Sequence, residues 1–170
     1  MSWADEIREA LPSYAKDTKL NIDNVMKRSG LAPEEAEGVA LAAAFATGNG
    51  KLVGYIQNGM ENAVERDAAL AAAAIMAQNN IYYPFVEMTE DEGLKGLPAG
   101  LRMNAIAQHG GTTQARFELY SLSASIVGKC HFCVKAHYDG LKAMGFTVTQ
   151  LQSVAKIAAV MNSVAKTLNS

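Results

Sequence analysis

The stretch "FELYSLSASIVGKCHFCVKAHYDGLKAMG", residues 117–145, reads as two helices joined at a glycine. Apolar residues run through 117–127, Gly128 interrupts them, and a second helix over 130–144 closes at Gly145. If that second helix is regular at about 100° per residue, Cys130 and Cys133 lie about 60° apart with His137 roughly between them. His131 points about 100° away from Cys130. Glu118 stands ten residues before Gly128 and His137 nine after it, about 15 Å and about 13 Å of helix. A foldback at Gly128 into an antiparallel hairpin therefore brings Glu118 and His137 to one level. Ser121 and Ser125 share the Glu118 face, either lining the approach to the thiols or serving as small packing residues.

Outward from this hairpin, the rest of the chain also reads as helix. Helices are expected over 4–11 (stopped by Pro12), 16–30, 33–48, about 50–60, an alanine-rich 64–83, 101–108 and 149–168. "TEDEGLKGLPAGL", residues 89–101, is the clearest loop. No segment alternates with the strand period between hairpin turns. The expectation is an all-α fold in one domain spanning 1–170. Residues 34–80 and 115–163 share one order: helix, break, short helix, alanine-rich or apolar helix. Glu37 precedes its break much as Glu118 precedes Gly128. Internal duplication of a helical unit, with one copy bearing the thiols, and common helical composition account for this equally well. The alanines fit tight helix packing or burial between subunits.

The chain has 170 residues, 49% of them hydrophobic, with 15 basic against 17 acidic side chains and a net charge of −2. No basic run suggests nucleic acid. No apolar stretch is long and clean enough to span a bilayer, and the start "MSWADEIREALPSY" lacks the pattern of a secretory leader. A cytoplasmic setting is expected, where a cysteine pair favours redox or metal chemistry over a structural staple.

Both cysteines and two of the three histidines fall within residues 130–137. Three accounts compete. In the first, C-x2-C is a redox dithiol: two intervening residues let the pair close and reopen a disulfide. A helix N-terminus and a nearby imidazole favour the thiolate, and a carboxylate behind the imidazole completes an acid–base relay. In the second, C-x2-C-x3-H binds zinc, with a fourth ligand from His109, Glu118 or water. In the third, the cysteines are ordinary core residues. Glu118 and His137 weight the choice toward redox chemistry. Proximity to the helix start favours Cys130 as the attacking thiol; reach from His137 favours Cys133. His109, in "QHGGT", reads as a solvated loop histidine, and Trp3, Tyr82, Tyr83 and Phe85 as core or interface aromatics.

At these residues the sequence resembles the alkylhydroperoxidase AhpD family. The E-x11-C-x2-C-x3-H spacing within residues 117–145 carries the likeness, and "LPSYAKDTKLNI", "AALAAAAIMAQNNIYY" and "GLRMNAIAQHG" extend it over nearly the whole chain. The resemblance implies an all-α fold of the carboxymuconolactone decarboxylase type, assembled as a homotrimer. It implies a thiol peroxidase that reduces organic hydroperoxides and an AhpC-type peroxiredoxin, with no bound cofactor or metal. Its electrons then come from dihydrolipoyl groups on an acyltransferase, restored by lipoamide dehydrogenase. By position, Cys133 becomes the sulfenic acid and links to the peroxiredoxin. Cys130 gives a proton and then closes the disulfide, and Glu118 and His137 form the relay. One position departs from the pattern. A close relative has a site histidine just before the second cysteine, where this chain has Phe132 and carries the imidazole at His131 instead. The supporting role is not expected of His131, and Phe132 is expected to dry the cysteine pocket. A non-redox decarboxylase of the same fold and a zinc-binding interaction module are the alternatives; the cysteine pair argues against the former.

Overall fold

The structure is a computed structural model that describes residues 2–169. Its α-helices are α1 (Trp3–Ala10), α2 (Lys16–Lys27), α3 (Pro33–Ala46), α4 (Gly50–Gly59), α5 (Ala63–Thr89), α6 (Glu92–Lys95), α7 (Asn104–Gln108), α8 (Gln114–Gly128), α9 (His131–Ala143) and α10 (Val148–Leu168). No strand occurs among the described residues, so the fold is all-α as expected. Local chemistry sets the starts. Ser2, Asn49, Asn62, Thr113 and Thr147 each accept a backbone N–H from the first turn of the helix they precede. Pro33 opens α3 at a position that needs no N–H donor.

Two helices form the centre. Along α3 the run Gly38–Ala44 is buried, and along α8 the run Leu119–Ser125. Helices that are apolar all round belong inside a protein. α3 and α8 pack on each other, and each also packs on α5 and α10. Small side chains let these axes approach. A Cβ on Gly38 would fall on the Tyr120 ring. Ala36, Ala40, Ala42–Ala44, Ala68, Ala69, Ala72 and Ala73 are all buried within the chain itself. The alanine richness therefore reflects tight internal packing. Exposed large apolar residues lie elsewhere, among them Ile81, Phe85, Met88 and Leu97.

The element order repeats: α3–α4–α5 is followed, after α6 and α7, by α8–α9–α10. The packing repeats with it. α3 meets α4 as α8 meets α9, and α4 touches α10 as α9 touches α5. Glu37 and Glu118 are each the fifth residue of their helix.

Several boundaries differ from expectation, among them the start of α7 at Asn104 rather than residue 101 and the end of α2 at Lys27 rather than residue 30. α5 continues past residue 83 to Thr89 with Pro84 inside it. The loop over 89–101 contains the short α6, started by Asp91, whose side chain accepts from Gly93 and Leu94 N–H. Cys130 is the N-cap of α9 rather than part of it. Among the described residues, no helix is long and apolar enough to cross a membrane.

Candidate active site

The α8–α9 turn builds the site. α8 ends at Gly128, and Lys129 takes the left-handed conformation at φ 56°. Lys129 N–H donates to Ile126 O and Cys130 N–H to Ser125 O, so the carbonyls at the end of α8 are satisfied. Gly128 lies against the side chain of Asn80 on α5, and a Cβ there would collide with it. Asn80 Nδ2–H in turn donates to Ala124 O at 3.2 Å. The chain thus reverses beside α5, and α9 runs back along α8.

Cys130, with extended backbone, caps α9 as serine caps other helices. Its Sγ accepts the Cys133 N–H at 3.2 Å. The two sulfurs are joined in a disulfide, with Cα atoms 5.3 Å apart. Both residues are buried, Cys130 at 0% and Cys133 at 4% exposure. Cys133 Sγ lies 3.8 Å from Asn79 O. The N-terminus of α9 directs its partial positive charge at this pair.

Glu118 and His137 meet across the hairpin, with Glu118 Oε2 2.6 Å from His137 Nδ1. Both side chains are mostly covered. The other ring nitrogen, Nε2, lies 3.2 Å from Met76 Sδ. Among the described residues no hydrogen bond links His137 to either sulfur. The i, i+4 spacing on α9 places His137 one turn beyond Cys133, and the imidazole is turned to α8 and α5.

The other sequence candidates fall outside this cluster. Ser121 and Ser125 are buried in α8 and do not line a path from solvent. His131 is exposed and lines a surface cleft of about 720 Å³ with Lys129, Val134, Lys135, Tyr138 and Asp139. Phe132 is 50% exposed and stacks on Tyr83 with centroids 4.7 Å apart. It reaches the surface beside the cysteines. His109 is half-buried and tilted against Phe117 rather than fully solvated. Trp3 is core; Tyr82 and Tyr83 are half-buried. No group of three or more His, Cys, Asp or Glu among the described residues is placed to hold a metal ion.

Met76, Asn79, Asn80 and Tyr83 carry no sequence signal of chemistry. They enter the site only because α5 packs on α8 and α9. The helical stripe of α5 marks Met76 as a buried position, and nothing in it marks a thioether facing an imidazole.

Residues 93–170 match the carboxymuconolactone decarboxylase family, and that region holds α8–α10 with both cysteines, Glu118 and His137. Over 165 residues the chain is 43% identical to an alkyl hydroperoxide reductase AhpD of Coxiella burnetii, covering 94% of this chain and 93% of that one. It is 38% identical to the AhpD of Maricaulis maris, with 96% of each chain covered. It is also 38% identical to the AhpD of Rhodopseudomonas palustris, covering 95% of this chain and 90% of that one. With identity of this level along almost its whole length, and a disulfide at the C-x2-C of an all-α fold, the chain belongs to the AhpD-like proteins of the carboxymuconolactone decarboxylase superfamily.

Proposed function

We propose that this protein is a thiol-dependent alkyl hydroperoxide reductase that works through Cys130 and Cys133. The observation that carries the proposal is the placement of the pair: a disulfide at the N-terminus of α9, one helical turn from an imidazole held by a carboxylate. In the reduced protein the Cys133 thiolate attacks the distal peroxide oxygen. The O–O bond breaks, Cys133 becomes a sulfenic acid, and the alkoxide takes a proton to leave as alcohol. The Cys130 thiolate then attacks Cys133 Sγ, water departs, and the disulfide closes. Glu118 and His137 relay the protons. A dihydrolipoyl group restores both thiols and leaves as the cyclic disulfide, to be reduced again by lipoamide dehydrogenase. The oxidised AhpC-type peroxiredoxin is the second acceptor, entering through a mixed disulfide at Cys133. The chain works as one domain in a homotrimer, in the cytoplasm, where dithiols are kept reduced.

The deciding experiment is turnover of an organic hydroperoxide with dihydrolipoamide and lipoamide dehydrogenase. Turnover is expected for the wild type and is lost in Cys130→Ser and Cys133→Ser. A wild-type protein that consumes no hydroperoxide would remove the proposal. A decarboxylase of this fold does not need either thiol and would keep its activity in both serine variants.

A further inference from the structure

We infer that Met76 is a positioning residue that holds His137 as a proton donor in the disulfide state; this rests on the function proposed above. Met76 is buried in α5 at 1% exposure, and its Sδ lies 3.2 Å from His137 Nε2. A thioether sulfur has lone pairs and no proton, so it only accepts. The contact is therefore an N–H···S hydrogen bond with the proton on Nε2, because an unprotonated Nε2 would set two lone pairs against each other. Glu118 Oε2 occupies the other nitrogen at 2.6 Å. Whichever of those two atoms carries the shared proton, the outcome at Nε2 is the same. In the disulfide state the ring has no free lone pair at Nε2 and cannot act there as a base. It can act as an acid.

That is the role disulfide reduction needs. An external thiolate attacks one cysteine sulfur, the Cys130–Cys133 bond breaks, and the displaced sulfur leaves as a thiolate. A second thiolate then resolves the mixed disulfide. In sum two electrons and two protons pass from the dithiol to the protein, and the dithiol becomes a disulfide. Protonating the displaced thiolate from His137 Nε2–H, once the ring turns from Met76 Sδ toward the sulfurs one helical turn away, makes the first step hard to reverse. Once that proton has left, Nε2 presents a lone pair to Met76 Sδ, and the contact changes from attraction to repulsion. Met76 thus couples the redox state of the pair to the direction in which His137 moves a proton.

The test begins with the oxidised wild-type protein labelled with ¹⁵N-histidine. Long-range ¹H–¹⁵N correlation at neutral pH is expected to show Nε2 of His137 protonated. An unprotonated Nε2 overturns the inference, whatever the activity. Met76→Leu keeps the volume and removes the acceptor, and Met76→Gln restores one through its amide oxygen. In stopped-flow measurements, reduction of the disulfide by dihydrolipoamide is expected to slow about tenfold in Met76→Leu and to recover in Met76→Gln. Oxidation of the reduced variants by hydroperoxide is expected to change less than threefold. Equal slowing of both half-reactions would reduce Met76 to a packing residue and overturn its role. Wild-type protein with Nε2 protonated but no hydroperoxide turnover would instead overturn the proposed function, so the two failures are read apart.

Discussion

Glu118 Oε2 and His137 Nδ1 lie close enough, at 2.6 Å, for a charge-assisted hydrogen bond. Such a bond fixes the ring plane and stabilises positive charge on the imidazole while a cysteine proton is in transit. Glu118→Gln keeps the size and one acceptor oxygen but removes the charge. A positioned acid–base group contributes about 100- to 10,000-fold, so peroxidase turnover is expected to fall at least tenfold with the melting temperature nearly unchanged. His137→Phe should lose as much. If the two act as one relay, the double variant is little worse than either single. The readout is the alkylation rate of Cys133 against pH in the four proteins, and additive losses would show that the residues do not share a relay. These two residues were found by spacing across a helix break, which fixes a level along two helices and nothing more. Which way the imidazole turns depends on α5. Its thioether partner Met76 lies 61 positions away in sequence, beyond any local pattern.

The turn between α8 and α9 depends on two adjacent residues with opposite requirements. Gly128 is helical and needs the absence of a Cβ, because Asn80 fills that space. Lys129 has a side chain but adopts φ 56°, a conformation that costs an L-residue roughly 1–2 kcal/mol. Gly128→Ala should therefore destabilise by about 1–3 kcal/mol through overpacking. Lys129→Gly should relieve more strain than the roughly 0.4–1 kcal/mol it adds in unfolded-chain entropy, for a net gain of about 0.5 kcal/mol. Urea unfolding of the three proteins checks both signs; a less stable Lys129→Gly would mean that the left-handed position carries little strain. Gly128 was legible as a break, since glycine ends helices, but the residue that turns the chain is the lysine after it. Cys130 was expected inside the helix and proves to be its cap, because a sulfur can accept the Cys133 N–H that a serine oxygen usually takes. The alanine-rich helix was expected to end at residue 83, and Pro84, just beyond, removes one helical N–H donor. The helix nevertheless continues to Thr89, since a proline inside it removes a single N–H donor while the carbonyls and N–H groups on either side still pair. Nine of the ten α-helices among the described residues and the hairpin were thus readable from periodicity and glycines, whereas the short α6 inside the expected loop, and the caps and continuations, were not.

At the scale of the whole molecule, two features of the surface and core lead to tests. Ile81, Phe85 and Met88 stand at i, i+4 and i+7 on α5 and are 50% or more exposed, forming one outward apolar stripe. This stripe, rather than the buried alanines, is the surface the proposed trimer would cover. Sedimentation equilibrium should give three times the 18.1 kDa chain mass, and Ile81→Glu with Phe85→Glu should give the single-chain mass with helicity retained. A trimeric double variant would place the interface elsewhere. In the core, Glu65 of α5 ties three helices together. Its carboxylate accepts from Arg116 Nη1 at 2.5 Å, the Tyr120 hydroxyl at 2.5 Å and Thr112 Oγ1 at 2.7 Å. Arg116 also donates to Glu34 of α3 at 2.9 Å. Burial alone would raise the Glu65 pKa, but the hydrogen bonds from Tyr120, Thr112 and Arg116, with the Arg116 charge, hold it below the usual carboxylate value. Burial and the same carboxylate push the Tyr120 phenol upward. A carboxyl whose pKa is depressed by folding stabilises the fold fully above its unfolded pKa of about 4.3, and that contribution is lost as pH falls through the lower folded value. Glu65→Gln removes the charge at every pH, at a cost of roughly 2 kcal/mol when Glu65 is ionised. Thermal unfolding of wild type and Glu65→Gln should therefore differ most at pH 6–7, and the gap should narrow progressively below about pH 4. A gap that stays constant down to about pH 2 would show that Glu65 contributes through shape alone, and that the ionised carboxylate is not what joins α5 to α8.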